Sequence, residues 1–99
     1  YRIVAERAAA WAGGGAIGLV MGATFVEPIA EIRSALPAAW FLIPGIGAQG
    51  GSMDAVGAGV RADGSGVVVT VSRGLAGDAN PAARAASLRQ ELNRRRGPR

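Results

Sequence analysis

Three short apolar runs recur along the 99-residue chain, and each is followed by a segment whose apolar residues have helical spacing. The runs cover residues 16–23, 40–43 and 67–71. Their predicted strand starts, at Ile17, Trp40 and Val67, lie 23 and 27 positions apart. Strands that alternate with helices form parallel sheets with helical crossovers. The chain is therefore expected to be an α/β protein.

The segments around these runs predict four helices, over residues 1–12, 24–36, 52–62 and from Asn80 to the arginine cluster near Gly97. Ser52 and Asn80 are suitable N-cap residues, and Pro81 suits a first helical position. The first run, bounded by glycines, fits a strand covered on both faces. Trp11 and Trp40 are interpreted as packing residues.

Parallel strands with helical crossovers form either a barrel or a doubly wound sheet, and three strands are too few for either. A (β/α)8 TIM barrel needs eight strands and roughly 250 residues. We therefore expect a partial barrel of about three parallel strands with four helices, cut from a larger fold. The chain also begins at Tyr1 without an initiator methionine or a secretory leader, so it is expected to begin inside a longer protein.

The composition excludes several kinds of chemistry. The chain has no cysteine and no histidine, which excludes disulfides, thiolate or histidine zinc sites and histidine acid–base catalysis. All 11 basic residues are arginine, so lysine-dependent catalysis is excluded as well. The acidic residues Glu27, Glu31, Asp54 and Asp63 are interpreted as first-turn or loop charges. No catalytic residue, metal site or cofactor is predicted.

The remaining composition bears on membranes and charge. The longest apolar stretch, residues 16–26, is shorter than the roughly 20 residues that a bilayer helix needs, so no membrane span is expected. The net charge is +4, and much of it comes from four arginines near the end: Arg94, Arg95, Arg96 and Arg99.

Two loops are candidates for binding an anion, because both directly follow predicted strands. The first, residues 44–51, reads PGIGAQGG, and its glycines can expose successive main-chain N–H groups ahead of a helix N-terminus. The second is Ser72-Arg73-Gly74, where an arginine at the carboxyl end of a strand can bind phosphate oxygens bidentately. Neighbouring parallel strands would bring the loops into one pocket. The last two loops of a barrel often form its phosphate site, which fits if the strands are the sixth to eighth.

Other interpretations of these features stay open. The glycine-rich loop can be a tight turn, and Arg73 can be a solvated residue. The chain can also be a stand-alone phosphate-binding βα module, although uncovered strand edges argue against that. Residues 93–99, NRRRGPR, can be a nucleic-acid-binding tail. A solvated helix terminus is the simpler explanation, so nucleic acid is not expected as a partner.

Three segments together resemble a known family. The sequences GLVMGAT (18–24), FLIPGIGAQGG (41–51) and SRG (72–74) resemble successive barrel-strand motifs of the longer bacterial orotidine 5′-phosphate decarboxylases. The opening YRIVAERAAAW and the closing LRQELNRRR are similar to the flanking helices. The resemblance implies that residues 1–99 are the carboxy-terminal fragment of a single barrel domain, with strands six to eight.

The resemblance also implies a function. The family converts orotidine monophosphate to UMP and CO2 in pyrimidine biosynthesis, as a cytoplasmic homodimer without metal or organic cofactor. By motif position, Gln49 and Arg73 would bind the substrate phosphate through side chains, and Ser72 and Arg73 through main-chain donors. Ile43 and Pro44 would lie near the base. The family's catalytic lysine–aspartate array lies on earlier strands, so the isolated chain is expected to be inactive.

The sequence departs from the family pattern near its third motif. Val71 stands where the family usually has a second small polar residue, and residues 75–80 differ from the usual continuation.

Overall fold

The computed structural model describes residues 1–12, 17–46, 52–71 and 73–96. In chain order the elements are α1 (Arg2–Ala12), β1 (Gly18–Val20), α2 (Val26–Ala35), β2 (Trp40–Ile43), α3 (Met53–Gly59), β3 (Val67–Val69), α4 (Arg73–Ala76) and α5 (Pro81–Arg95). The predicted three strands and four helices are therefore confirmed. The four-residue helix α4 is an addition that the sequence did not predict.

The strands form one parallel sheet in the order β1-β2-β3. Phe41, in the middle strand, is the register partner of Leu19 on one side and of Val67 on the other. Successive strands lie next to each other, as expected when each crossover is a single helix. The carboxyl ends of β2 and β3 consequently lie side by side.

One face of the sheet packs against helices and forms the core. Phe41 and Ile43 have no exposed surface, and they cluster with Ile29 and Ile32 of α2 and with Val56 of α3. These helices turn their apolar stripes toward the strands, which is the two-layer arrangement that buries an amphipathic helix.

The opposite face of the sheet is largely uncovered among the described residues. Val20 is 70% exposed, Val68 is 50% exposed and Trp40 is 45% exposed. The expectation that the first strand is covered on both faces is therefore wrong for this chain, because the described helices cover only one face. Trp11, at 77% exposure, is likewise not a packing residue here. Trp40 packs in part, with the guanidinium carbon of Arg61 5.0 Å from its ring centre.

Local side-chain contacts explain where several elements begin. The side-chain oxygen of Asn80 accepts a hydrogen bond from the main-chain nitrogen of Ala83 at 3.1 Å, which confirms the predicted N-cap of α5. Ser52 occupies the N-cap position of α3 but makes no side-chain capping bond. Before β3, the Asp63 carboxylate accepts hydrogen bonds from the hydroxyl and the main-chain N–H of Ser65, which lower the pKa of Asp63.

Helix α1 joins the rest of the molecule through Glu31 of α2. The Tyr1 hydroxyl donates to one oxygen of Glu31 at 2.7 Å, and Arg2 lies 3.0 Å from the other. Ala5 and Ala8 are buried on one side of the helix. Within the described ranges, no helix is long and apolar enough to cross a membrane.

Candidate phosphate-binding site

The segments after β2 and β3 leave the sheet at the same edge. Ile43, the last residue of β2, is the register partner of Val69, the last residue of β3. The main-chain nitrogen of Thr70 donates to the carbonyl oxygen of Ile43 at 3.5 Å, so the contact continues past the end of β3. The stems of the two predicted phosphate loops are therefore adjacent.

The stem of the first loop is anchored on both sides of residues 47–51. Gly45 has a positive φ of 88°, a conformation that favours glycine, and it turns the chain directly after β2. Ile46 follows with only 4% exposure. Beyond the loop, the nitrogen of Ser52 donates to the carbonyl of Ala23 at 3.4 Å, and Met53 is buried. These contacts fix the described residues on either side of residues 47–51.

The residues predicted to bind phosphate are only partly described. Gln49 and Ser72 lie outside the described residues, and Arg73 is placed as the first residue of α4, three positions after Thr70. Its main chain thus follows the carboxyl end of β3. The roles of all three residues stay predictions.

The two residues predicted to lie near the base occupy different environments. The side chain of Ile43 has no exposed surface and belongs to the core beneath the sheet. Pro44 is half-buried at the start of the first loop. A contact between either residue and a pyrimidine stays a prediction.

A cavity that the sequence did not predict lies beside the second loop. It has a volume of about 430 Å³ and lies between β3, α4 and α5, with one charged residue, Arg89, in its wall. Its other lining residues are Met53, Val69, Thr70, Val71, Leu75, Ala85, Leu88 and Leu92. The signal for it in the sequence is the spacing of Leu88 and Leu92, which gives α5 an apolar stripe.

The described charged residues form no catalytic constellation. Asp54 pairs with Arg95 at 2.9 Å, and Glu31 pairs with Arg2. No group of three or more potential metal ligands occurs among the residues placed by the structure. At the carboxyl ends of β2 and β3, the described residues offer no acid–base pair, and anion binding by the loops that follow stays a prediction.

Sequence analysis missed one further polar residue, Arg33, at the opposite end of the sheet. Its guanidinium lies beneath the starts of β2 and β3 and donates to carbonyl groups around both. Burial lowers the pKa of Arg33, and the neighbouring charge of Arg61 lowers it further.

Comparisons with known proteins place this geometry in context. No family model matches the chain. A curated relative from Ralstonia pickettii, named orotidine 5′-phosphate decarboxylase, is 49% identical over 77 residues, which is 76% of this chain and 28% of the relative. A relative of the same name from Halobacterium salinarum is 45% identical over 106 residues, covering 97% of this chain and 39% of the relative.

Solved structures agree with the sequence relatives. The Leishmania donovani OMP decarboxylase superposes with a TM-score of 0.87 at 48% identity, covering 99% of this chain and 39% of that one. The chain is similar to one part of orotidine 5′-phosphate decarboxylase. Leishmania donovani UMP synthase also superposes, with a TM-score of 0.90 at 52% identity, over 97% of this chain and 22% of that one.

The similarity to one part of a barrel explains why the described sheet has only three strands and one largely uncovered face. The chain spans only 28% to 39% of the length of the two curated decarboxylases named above. Its three parallel strands and their helices form a fraction of the decarboxylase TIM barrel. The resemblance inferred from the three motifs is thereby confirmed, and so is the partial-barrel fold.

Proposed function

We propose that residues 1–99 form the carboxy-terminal part of an orotidine 5′-phosphate decarboxylase barrel and bind the phosphate of its substrate. The observation that carries the proposal is the adjacency of the two loop stems, with Ile43 and Val69 as register partners at the ends of parallel strands. Relatives that cover nearly the whole chain bear the name of that enzyme.

The proposed ligand is the phosphate of orotidine monophosphate or of UMP. The Arg73 guanidinium would make charge-assisted bonds to phosphate oxygens, the Gln49 amide would donate another, and the main chain of Ser72 and Arg73 would complete the set. Binding energy from this remote, non-reacting group would be used at the reacting carbon in the complete enzyme.

The proposal assigns no chemical step to this chain. Decarboxylation of orotidine monophosphate to UMP and CO2 would belong to the complete barrel, a cytoplasmic homodimer that uses no cofactor. The family's lysine–aspartate array would come from strands outside residues 1–99, since this sequence has no lysine. Neither a stand-alone phosphate module nor a nucleic-acid-binding tail is favoured by relatives that are decarboxylases.

A chimeric enzyme tests the proposal most directly. This chain would replace the matching segment of the Halobacterium salinarum relative, and decarboxylation of orotidine monophosphate would be followed spectroscopically. We expect activity in the chimera, with a KM for substrate raised roughly tenfold or more by Arg73→Ala or Gln49→Ala, because each removes a hydrogen bond to a charged group. Arg89→Ala, in the cavity wall, is the matched control and is expected to leave KM unchanged.

Two results would contradict the proposal. A folded, active chimera in which Arg73→Ala and Gln49→Ala leave KM unchanged would show that these residues do not bind phosphate. For the isolated chain, we expect weak or no binding of UMP in an NMR titration, since a phosphate site without a base pocket or barrel closure lacks preorganisation. Tight, saturable binding of UMP by the isolated chain would contradict the expectation that the site needs the complete barrel.

A further inference from the structure

A single guanidinium beneath the sheet gathers main-chain oxygens from several elements. Arg33 lies in the last turn of α2, and its side chain donates to five carbonyl groups. Nε donates to Gly59 at 2.7 Å, Nη1 to Ala39 at 2.7 Å, Leu36 at 3.1 Å and Pro37 at 3.3 Å, and Nη2 to Gly66 at 3.2 Å.

Two of these carbonyls mark the starts of neighbouring strands. Ala39 directly precedes β2, and Gly66 directly precedes β3. The carbonyl of Gly66 also accepts the main-chain nitrogen of Phe41 at 2.9 Å, which is a bond between the two strands. Arg33 therefore binds the same oxygen that fixes the pairing of β2 with β3.

The surroundings of Arg33 hold its guanidinium in one place. Its central carbon lies 3.9 Å from the centre of the Phe41 ring, and Phe41 is fully buried. Within residues 1–12, 17–46, 52–71 and 73–96, the ion pairs join Arg2 to Glu31 and Arg95 to Asp54, so no carboxylate competes for Arg33. Carbonyl dipoles and the aromatic face stabilise its charge instead.

The Arg33 clamp, meaning the Arg33 guanidinium with the carbonyls of Ala39 and Gly66, lies one strand length from the predicted phosphate loops at the carboxyl ends of β2 and β3. From Ala39 to Pro44 and from Gly66 to Thr70 the chain advances four or five residues, or about 13–17 Å. We propose that Arg33 is a positioning residue for the phosphate site: by joining the carbonyls that precede β2 and β3, it sets the stagger of these strands and thereby the relative position of the loops that follow them. This proposal rests on the proposed function of those loops.

Arginine is suited to this role in a way that lysine is not. The planar guanidinium directs five N–H donors in a fixed fork, so it can serve carbonyls on two strands at once. A lysine ammonium keeps the charge but has three donors on a flexible stem. Arg33→Lys therefore tests the geometry while it preserves the charge.

The test compares amide hydrogen exchange in the wild-type chain and in Arg33→Lys by NMR. The amides of Phe41 and Thr70 report on the β2–β3 pairing at its two ends, and the amide of Met21, which donates to Leu42, reports on β1–β2. In Arg33→Lys we expect exchange of Phe41 and Thr70 to accelerate roughly tenfold or more relative to Met21, because bonds from a charged donor are lost. Arg2→Lys is the control for substitution of a surface ion pair.

The outcomes separate positioning from general stabilisation. If all three amides accelerate by the same factor, Arg33 only stabilises the fold and the proposal is wrong; unchanged exchange also overturns it. If Arg33→Lys does not fold, the test is made instead on the guanidinium of Arg33 in the wild-type chain by NMR. Five hydrogen bonds predict slow rotation about the Cζ–Nη bonds and separate Nη resonances for Arg33, whereas averaged signals like those expected of exposed Arg2 would contradict the clamp.

A ligand-binding experiment distinguishes failure of the Arg33 positioning role from failure of the proposed phosphate site. In the chimera described above, which completes the barrel, UMP is expected to shift the amides of residues 73–75 more than uridine does, and this difference is expected to shrink when the chimera carries Arg33→Lys. If UMP and uridine act alike in the chimera without this substitution, the phosphate assignment fails, while the exchange pattern still decides the role of Arg33. If the UMP-specific shift persists unchanged in the chimera with Arg33→Lys, the positioning role fails and the phosphate assignment stands.

Discussion

The guanidinium carbon of Arg33 lies 3.9 Å from the centre of the Phe41 ring, so the central aromatic residue of the core is also the platform for the principal polar clamp. The ring of Phe41 packs in the helix-facing core. Its main-chain nitrogen donates to the carbonyl oxygen of Gly66, which also accepts a hydrogen bond from Arg33. Apolar packing and strand pairing therefore depend on the same residue.

Phe41→Ala is expected to destabilise the chain by about 3–5 kcal/mol, since it removes a fully buried ring and leaves a cavity. Urea unfolding followed by circular dichroism measures the change. Trp40→Ala is the matched control at the neighbouring position. Trp40 is 45% exposed, so its loss is expected to cost clearly less. Equal costs would mean that Phe41 does not anchor the core.

Asn80→Ala is expected to lower the free energy of unfolding by about 1 kcal/mol, because it removes the side-chain bond that caps α5. Ser52→Ala provides the comparison, since Ser52 holds the equivalent position before α3 without a side-chain capping bond. Its effect should be smaller. A larger loss for Ser52→Ala in thermal unfolding would contradict the capping assignment.

Two glycine substitutions are expected to act in opposite directions. Gly66 has a φ of 93°, and an added Cβ would lie 2.6 Å from Cγ of Arg61, so Gly66→Ala should destabilise by more than about 1 kcal/mol. Gly57 lies inside α3, where an added Cβ meets only Arg95 at 3.9 Å. Gly57→Ala should therefore stabilise by about 0.5–1 kcal/mol. Chemical denaturation of both variants tests the contrast.

The turn before β3 should add an acid-dependent contribution to stability. Hydrogen bonds from Ser65 lower the pKa of Asp63 in the folded chain. A depressed carboxyl pKa contributes stability above the unfolded value of about 3.9, and that stability is lost as pH falls through the folded pKa. The difference in melting temperature between wild type and Asp63→Ala should thus shrink as pH falls from about 6 to about 2.5. A constant difference would show that Asp63 acts without its charge.

Much of the fold follows from local signals in the sequence. The run Trp40–Ile43 forms a strand with the predicted bounds, and Asn80 with Pro81 starts α5 as predicted. The β-branched valines after Gly66 form β3, although pairing ends at Val69 rather than Val71. Hydrophobic periodicity and helix capping predict these strands and helices because both signals act over only a few neighbouring residues.

The surroundings of individual side chains depended on contacts between distant segments. Trp11 and Val20 are apolar, yet the described helices cover neither, and the sequence alone suggested burial for both. The motif position of Ile43 predicts a place near the base, and the structure adds that its side chain packs in the helix-facing core; contact with a pyrimidine stays a prediction. Which face of a strand is covered depends on layers contributed by other segments, and relatives are far longer than this chain.

Residue patterns alone establish the alternation of strands and helices, exclude lysine, histidine and cysteine chemistry within these 99 residues, and supply the three motifs that resemble the decarboxylase barrel. Only the tertiary structure revealed the role of Arg33, whose acceptors lie up to 33 residues away along the chain. Periodicity records which residues share one helix or strand. It does not record which carbonyl groups meet one guanidinium, because that depends on how the strands and helices pack together.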